Sequence, residues 1–287
     1  MAEAQPVFDA AKYKSAQHDQ WNEDAAAWNR WGPTLQRWFG NLTKRMLDLA
    51  ELGQGQRVLD IASGAGEPAL SAAERVGPDG YLLATDLSEK IIAFAQQIAE
   101  ERHLRNFETR VSDGENLELP DASFDAVLCR FGLMYMPDRH RALTEWRRVL
   151  RPEGRVVVAV FSTPDKNGWG AVPLAIIRQS AQLAPPLPGQ PGSFSLRAKG
   201  ILEDALRQAD FQSIQIHRLS APLRMASAAE CIRFERESFG AFNQVMAHLP
   251  REEREAICDE VEVAMQVFEG PEGFQAPCEA LLAVGTK

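Results

Sequence analysis

Three aspartates, each at the end of an apolar run, are the residues of this sequence best placed to do chemistry. Asp60 lies in Val58-Leu59-Asp60-Ile61, directly before the small-residue bend Ala62-Ser63-Gly64-Ala65-Gly66. Asp86 follows Ala84-Thr85, and Asp113 follows Val111-Ser112. Gly64 through Ala69 satisfies G-x-G-x-x-G/A, with Asp86 about twenty residues beyond Gly66, which is the fingerprint of a dinucleotide turn. The pattern alone leaves the guest open between a dinucleotide and another adenosine-bearing cofactor. Asp60 bears on that choice: a carboxylate before the glycines opposes a pyrophosphate but suits a ligand carrying an ammonium and a sulfonium, directly or through water. Asp86 can accept two hydrogen bonds from a ribose diol. Asp113 can accept from an adenine amino group, while the backbone N–H after it reaches a ring nitrogen.

Chemistry of this kind needs a parallel sheet with its carboxyl edge open. Strand-like runs at Arg57–Ile61, Tyr81–Thr85, Phe107–Val111, Phe124–Cys129 and Gly154–Phe161 alternate with helical patterns at Glu67–Val76, Ser88–His103 and Asp138–Leu150. Such alternation specifies an α/β fold, a Rossmann-like seven-stranded and mostly parallel sheet with helices on both faces. A helix over 8–31 is expected to stop near Gly32-Pro33, and 34–51 reads as an amphipathic helix through Leu35, Trp38, Phe39, Leu42, Met46 and Leu49. Residues 162–194 break the rhythm, with a Pro/Gly-rich loop over 184–192. Helix Leu196–Ala209, strand Ser213–Leu219, a helical stretch over 227–269 and a last, antiparallel strand over Ala280–Gly285 complete the reading. The expected division is a helical N-terminal cap (1–54), a cofactor-binding core (55–161), the rest of the core with its loop (162–226), a helical lid insertion (227–273) and the final core strand (274–287).

The 287 residues carry a net charge of −9, with 45% hydrophobic and 25% charged residues. That charge, without a local basic stripe, disfavours nucleic acid as a partner. No apolar run reaches membrane-spanning length, and the N-terminal stretch lacks a secretory apolar core. Cys129, Cys231, Cys258 and Cys278 are too scattered for a disulfide framework or a metal site. A cytoplasmic monomer or homodimer without metal is the expectation.

The segments VLDIASGAGE, TDLSEKII, SDGENLELPDASFDAVLCRFGLMYMPD and RVLRPEGRVVVAVF occur in order. Together they resemble the class I S-adenosylmethionine-dependent methyltransferases, and more narrowly the ubiquinone/menaquinone-biosynthesis enzymes and their small-molecule relatives. The resemblance is strong over roughly 55–161. It implies S-adenosyl-L-methionine as cofactor, leaving S-adenosyl-L-homocysteine as product. It places the methionine end over Ala62, Ser63, Gly64 and Gly66, with Asp60 beneath. The ribose falls on Asp86 and Leu87, the adenine by Asp113, Gly114 and Glu115, and the transferable methyl near Cys129 and Arg130. One departure is Ala62, where the family often has glycine; alanine is expected to keep a negative φ there.

No general base announces itself. His140, just past the active edge, and His18, on the covering N-terminal helix, are the weak candidates. Trp21, Trp28, Trp31 and Trp38 offer either an aromatic wall or anchors for the N-terminal helices; Trp28 and Trp31, with Phe131 and Met134, are the acceptor-binding candidates. The reading is a methyltransferase acting at O or C of a small, aromatic or polyketide-like acceptor. The alternatives are an NAD-dependent oxidoreductase and a non-catalytic cofactor-binding protein of the same fold. An amino-methylating nucleic-acid enzyme would carry N/D-P-P-Y/F where Leu128-Cys129-Arg130-Phe131 stands.

Overall fold

The computed structural model describes residues 8–287 except 185, 188, 240, 241, 243 and 244. Parts of the expected cap, loop and lid thus lie outside the described residues. The central sheet has seven strands in the order β3-β2-β1-β4-β5-β10-β6. These are β1 (Arg57–Ile61), β2 (Tyr81–Asp86), β3 (Phe107–Val111), β4 (Phe124–Arg130), β5 (Leu150–Phe161), β6 (Gln212–Ser220) and β10 (Glu279–Thr286). β1 pairs in parallel with β2 and β4, β2 with β3, and β4 with β5. β10 is antiparallel to both β5 and β6.

Burial explains the sequence pattern. Val156–Phe161 of β5 is buried throughout, as are Val58–Ile61 of β1. Strands covered on both faces read as continuous apolar runs. The edge strands β3 and β6 are largely exposed and far more polar. The covering helices are α3 (Ala69–Val76), α4 (Glu89–Glu101), α5 (Arg139–Val149) and α7 (Ile201–Gln208). Ser88 caps α4 by accepting from Ile91 N–H at 3.1 Å, and Asp138 caps α5 by accepting from Arg141 N–H at 2.9 Å.

Two N-terminal helices lead into this core. α1 (Ala10–Arg30) ends before Trp31, and Gly32-Pro33 opens α2 (Gly32–Leu49) with proline in the first turn. The sheet strand Gln212–Ser220 matches expectation closely, but three helical readings change. The helix expected from Glu67 starts at Ala69, and the one expected from Leu196 starts at Ile201, after a left-handed Gly200. The region 227–269 is not one helical run. It holds α8 (Ala228–Ser238) and α9 (Arg251–Met265), then β8 (Glu269–Gly270). β8 joins β7 (Leu223–Met225) and β9 (Gly273–Ala276) in a small antiparallel sheet. α6 (Gly168–Ser180), inside the expected irregular stretch, buries Trp169 and Ile177.

Candidate active site

The carboxyl ends of β1 to β4 open on a cavity of about 210 Å³, roofed by α1 and α2. The bend after β1 is tied to its neighbours. Ser63 N–H donates to the Thr85 carbonyl at 3.0 Å, and Ser63 Oγ donates to the Asp60 carbonyl at 3.0 Å. Ala62 has φ +57° and Gly64 φ +57°. The expectation that Ala62 keeps a negative φ is therefore wrong: the chain must turn off β1 in the left-handed region, where glycine is the unstrained residue. The closeness of Gly132 adds to this, since a Cβ placed there would come within 2.5 Å of Ala62 Cβ.

Asp86 is integrated into that bend. Its Oδ2 accepts from Gly64 N–H at 2.9 Å and its Oδ1 from Ser88 N–H at 3.0 Å. Burial raises its pKa, and these backbone donors hold the rise back. Asp113 accepts from Glu115 N–H at 2.9 Å through Oδ1. Gly114 is pinned by Trp146, whose Nε1 donates to its carbonyl at 2.8 Å, and a Cβ on Gly114 would meet Met136 Cε at 2.6 Å. Asp60 lies one layer deeper, with no accessible surface, and neither of its carboxylate oxygens has a hydrogen-bond partner. Burial pushes its pKa up to about 7, against the pull of the nearby Ser63 hydroxyl and, less, of the Arg130 charge.

Beyond this acidic edge the wall becomes aromatic. Phe131 and Phe161 stack at 4.2 Å, Phe39 tilts against Phe131 at 4.8 Å, and Trp28 meets Phe239 edge to face at 5.3 Å. All five rings line the cavity, as do Trp21, Leu35 and Met134.

Residues 59–158 match the family described as methyltransferase domain. Nocamycin O-methyltransferase of Saccharothrix syringae is 31% identical over 199 residues, covering 66% of this chain and 71% of that protein. The chain belongs to the class I S-adenosylmethionine-dependent methyltransferases. Demethylmenaquinone methyltransferase of Listeria welshimeri is 33% identical over 129 residues, 45% of this chain, so the match spans just over half (55%) of that relative. The YcgJ protein of Bacillus subtilis shares the fold, with a TM-score of 0.59 at 19% identity over 86% of this chain and 98% of that one.

The residues of this methyltransferase fit the family's cofactor. An orphaned buried carboxylate at Asp60 awaits a cation or donor, and the backbone at Gly64 and Gly114 leaves a cradle that a side chain would disturb. The cavity is lined by Ala62, Ser63, Gly64, Asp86, Leu87, Asp113, Gly114, Glu115 and Arg130. Three expected cofactor residues lie outside its lining. Asp60 stands behind it. Gly66, at φ +115°, packs against Leu70 and Ala95, and so shapes the bend from behind. Cys129 is fully buried beside Gly132, and burial pushes its thiol pKa up to about 12, leaving it inert.

Among the acceptor candidates, Trp28, Phe131 and Met134 reach the cavity and Trp31 does not. Trp31 packs against Phe234 and donates from Nε1 to Glu237 at 2.9 Å; Trp38 donates to the Ala221 carbonyl at 2.7 Å. Both anchor helices. Neither histidine lies on the cavity. His140 faces a separate surface cleft with Arg147 and Lys287. His18 is exposed between Asp19 and Glu89, whose hydrogen bonds raise its pKa. Lys14, Gln17, Phe39, Phe161 and Phe239 were not foreseen. Apart from Phe161, which ends β5, their participation depends on how α1, α2 and the end of α8 dock onto the sheet, and no local pattern encodes that.

Proposed function

We propose that this methyltransferase moves a methyl group from S-adenosylmethionine to oxygen or carbon of a small, flat, largely apolar acceptor. The observation that carries the reading is one continuous cavity, acidic and glycine-cradled at the sheet edge and walled by stacked aromatic rings beyond it. The relatives' names, for nocamycin and demethylmenaquinone, agree with a small-molecule acceptor.

When bound, S-adenosylmethionine supplies a methyl on sulfonium sulfur, lost in-line with a neutral thioether leaving group. The chain's own part is position and exclusion. Asp86 takes the ribose hydroxyls, Asp113 and Gly114 the adenine edge, and the Ala62–Gly64 bend the amino-acid end. Phe131, Phe161, Trp28 and Phe239 hold the acceptor flat and keep water away. Among the described residues no histidine lines the cavity, so the acceptor site suits a nucleophile acidic enough to ionise by itself, such as a phenol or enol. In this reading residues 1–54 act as a cap and 227–273 as a lid, with 55–161 as the cofactor core, 162–226 completing it, and β10 within 274–287 closing the central sheet. Four buried free cysteines agree with a reducing, cytoplasmic setting.

Calorimetry with S-adenosylmethionine, S-adenosylhomocysteine and NADH, followed by methyl transfer to a panel of phenols, enols and quinols, tests the reading. Binding of the two sulfur nucleosides but not NADH, with turnover of an acidic acceptor, is expected. Binding of NADH alone would overturn it.

A further inference from the structure

The ends of α1 and α8 meet at one corner outside the cavity. α1 stops at Arg30, and Trp31 turns the chain into α2, serving as the last cap of one helix and the first of the next. Its indole is held from two sides by residues one turn apart on α8. Trp31 Nε1 donates to Glu237 Oε2 at 2.9 Å, and the Arg233 guanidinium lies 5.3 Å from the ring centroid. Arg30 Nη2 donates to the same Glu237 oxygen at 3.1 Å. The Trp31 bond first, and the Arg30 bond next, hold the Glu237 carboxyl below the usual carboxylate range. It is therefore ionised at neutral pH, and both hydrogen bonds are charge-assisted.

Two residues beyond Glu237 the chain leaves α8 through Phe239, whose ring joins the cavity wall. Phe239 meets Trp28 edge to face at 5.3 Å. Trp28 in turn stands over the bend after β1, since a Cβ placed on Gly64 would come within 3.2 Å of its Nε1. The end of α8 thus reaches through two rings to the inner part of the cavity. One aromatic pair is weak beside the entropy lost in fixing a helix end, and the Glu237 carboxylate supplies the further tie. Neither Glu237 nor Trp31 lines the cavity. The other fastening of α1, Lys14 on Asp113 and Glu115, lies roughly 25 Å away along the helix.

We propose that Glu237 is a positioning residue for methyl transfer: by holding Trp31 and Arg30 it fixes the end of α8 on the end of α1, keeps Phe239 against Trp28, and so closes the acceptor end of the cavity. This rests on the proposed aromatic acceptor site and goes further, in assigning its closure to a contact outside the cavity and distant from the Lys14 fastening.

The test compares the wild type with Glu237→Gln, Glu237→Ala, Trp31→Phe and the Glu237→Ala/Trp31→Phe double variant. Acceptor kinetics on the phenol, enol and quinol panel, donor titration by calorimetry and hydrogen exchange over α8 are the three readouts. Glu237→Ala is expected to lower acceptor kcat/KM by roughly 3–30-fold, between the effects of losing an exposed ion pair and a buried charge-assisted bond. Donor affinity is expected to hold, which also reports that the variant is folded. Glu237→Gln keeps an oxygen for the Trp31 N–H and is expected to recover part of the loss. Trp31→Phe keeps a ring but no N–H, and the double variant should be no worse than Glu237→Ala, because both changes remove one contact. Exchange at the end of α8 should quicken in Glu237→Ala whatever the acceptor. Unchanged acceptor kinetics, unchanged exchange, or losses that add in the double variant overturn the role alone. So does a fall in donor affinity as large as the fall in acceptor kcat/KM, which marks a general loosening. Absence of turnover of every panel acceptor by the wild type overturns the role together with the acceptor reading.

Discussion

Lys14 Nζ, on the helix that roofs the cavity, lies 2.7 Å from Asp113 Oδ2 at the end of the third strand. The same ammonium is 2.6 Å from Glu115 Oε2. Burial works against the Lys14 charge, but the two carboxylates more than offset it and raise its pKa. Further along α1, Asn22 donates to Glu89 at 3.0 Å, and its side-chain oxygen accepts from Ser88 Oγ at 2.5 Å. The roof is therefore fastened by polar contacts to the groups proposed to receive the adenine and to the helix beyond the ribose.

Replacing Lys14 with methionine is expected to quicken S-adenosylhomocysteine release. A partly exposed ion pair contributes about 0.2–1 kcal/mol, so release should speed up by roughly 1.4- to fivefold, and salt should have the same effect in the wild type only. Stopped-flow fluorescence of Trp21 and Trp28, both on the cavity wall, reads this directly. Identical, salt-independent release rates in the two proteins would mean that the strap does not govern exit.

Asp60 should make donor binding depend on pH. Its pKa is about 7 in the folded protein, against an ordinary 3.8. Between those values the folded state holds a proton that the unfolded chain has released, so stability falls as pH rises from about 4 to 7 and levels off above. The full span is on the order of 4 kcal/mol. An arriving ammonium favours the ionised form, so affinity should rise through pH 7 and binding below it should release protons. Calorimetry in buffers of different ionisation enthalpy measures that release. Asp60→Asn should abolish it and flatten the thermal-stability profile between pH 4 and 7; persistence of the release in the variant would assign the proton elsewhere.

The sheet was legible because β1, β2, β4 and β5 are buried on both faces and must be written in runs such as Val156–Phe161. The acids at or just past the ends of β1, β2 and β3 were legible because a register of strand ends is visible in a sequence of alternating elements. Less could be read where contacts cross long stretches of chain. Lys14 and Asp113 are 99 residues apart, and only the docking of α1 brings them together. The small sheet of β7, β8 and β9 has strands of two to four residues, too short for any periodicity. Trp28 lies in α1 and Trp31 just past its end, three positions on, yet Trp31 grips Glu237 and Trp28 faces the cavity.

Ala62 offers a gain in stability. Its φ of +57° costs an alanine about 1 kcal/mol relative to glycine. Ala62→Gly relieves this. Some of the gain is lost to the greater freedom of the unfolded chain. The net expectation is a Tm raised by about 1–3 °C, with donor affinity unchanged or slightly improved. Differential scanning calorimetry decides it: a lower Tm would mean that the Ala62 methyl packs to greater effect than its backbone strains.

Asp86 joins fold and function in one carboxylate, so its loss should register in both. Asp86→Ala strips acceptors from Gly64 N–H and Ser88 N–H, loosening the bend and the start of α4. Two backbone donors left without partners, and a ribose diol without its acceptor, should cost about 1–3 kcal/mol in donor affinity. That is a five- to 150-fold weaker Kd, accompanied by a lower Tm. Asp86→Asn separates the two roles. Its one amide oxygen can serve only part of what two carboxylate oxygens served, and its NH2 faces a backbone donor if turned the other way. The asparagine variant should therefore recover some Tm but little affinity. Equal recovery of both would show that the carboxylate matters for the bend alone, and the ribose would then have to be held by other groups along this edge.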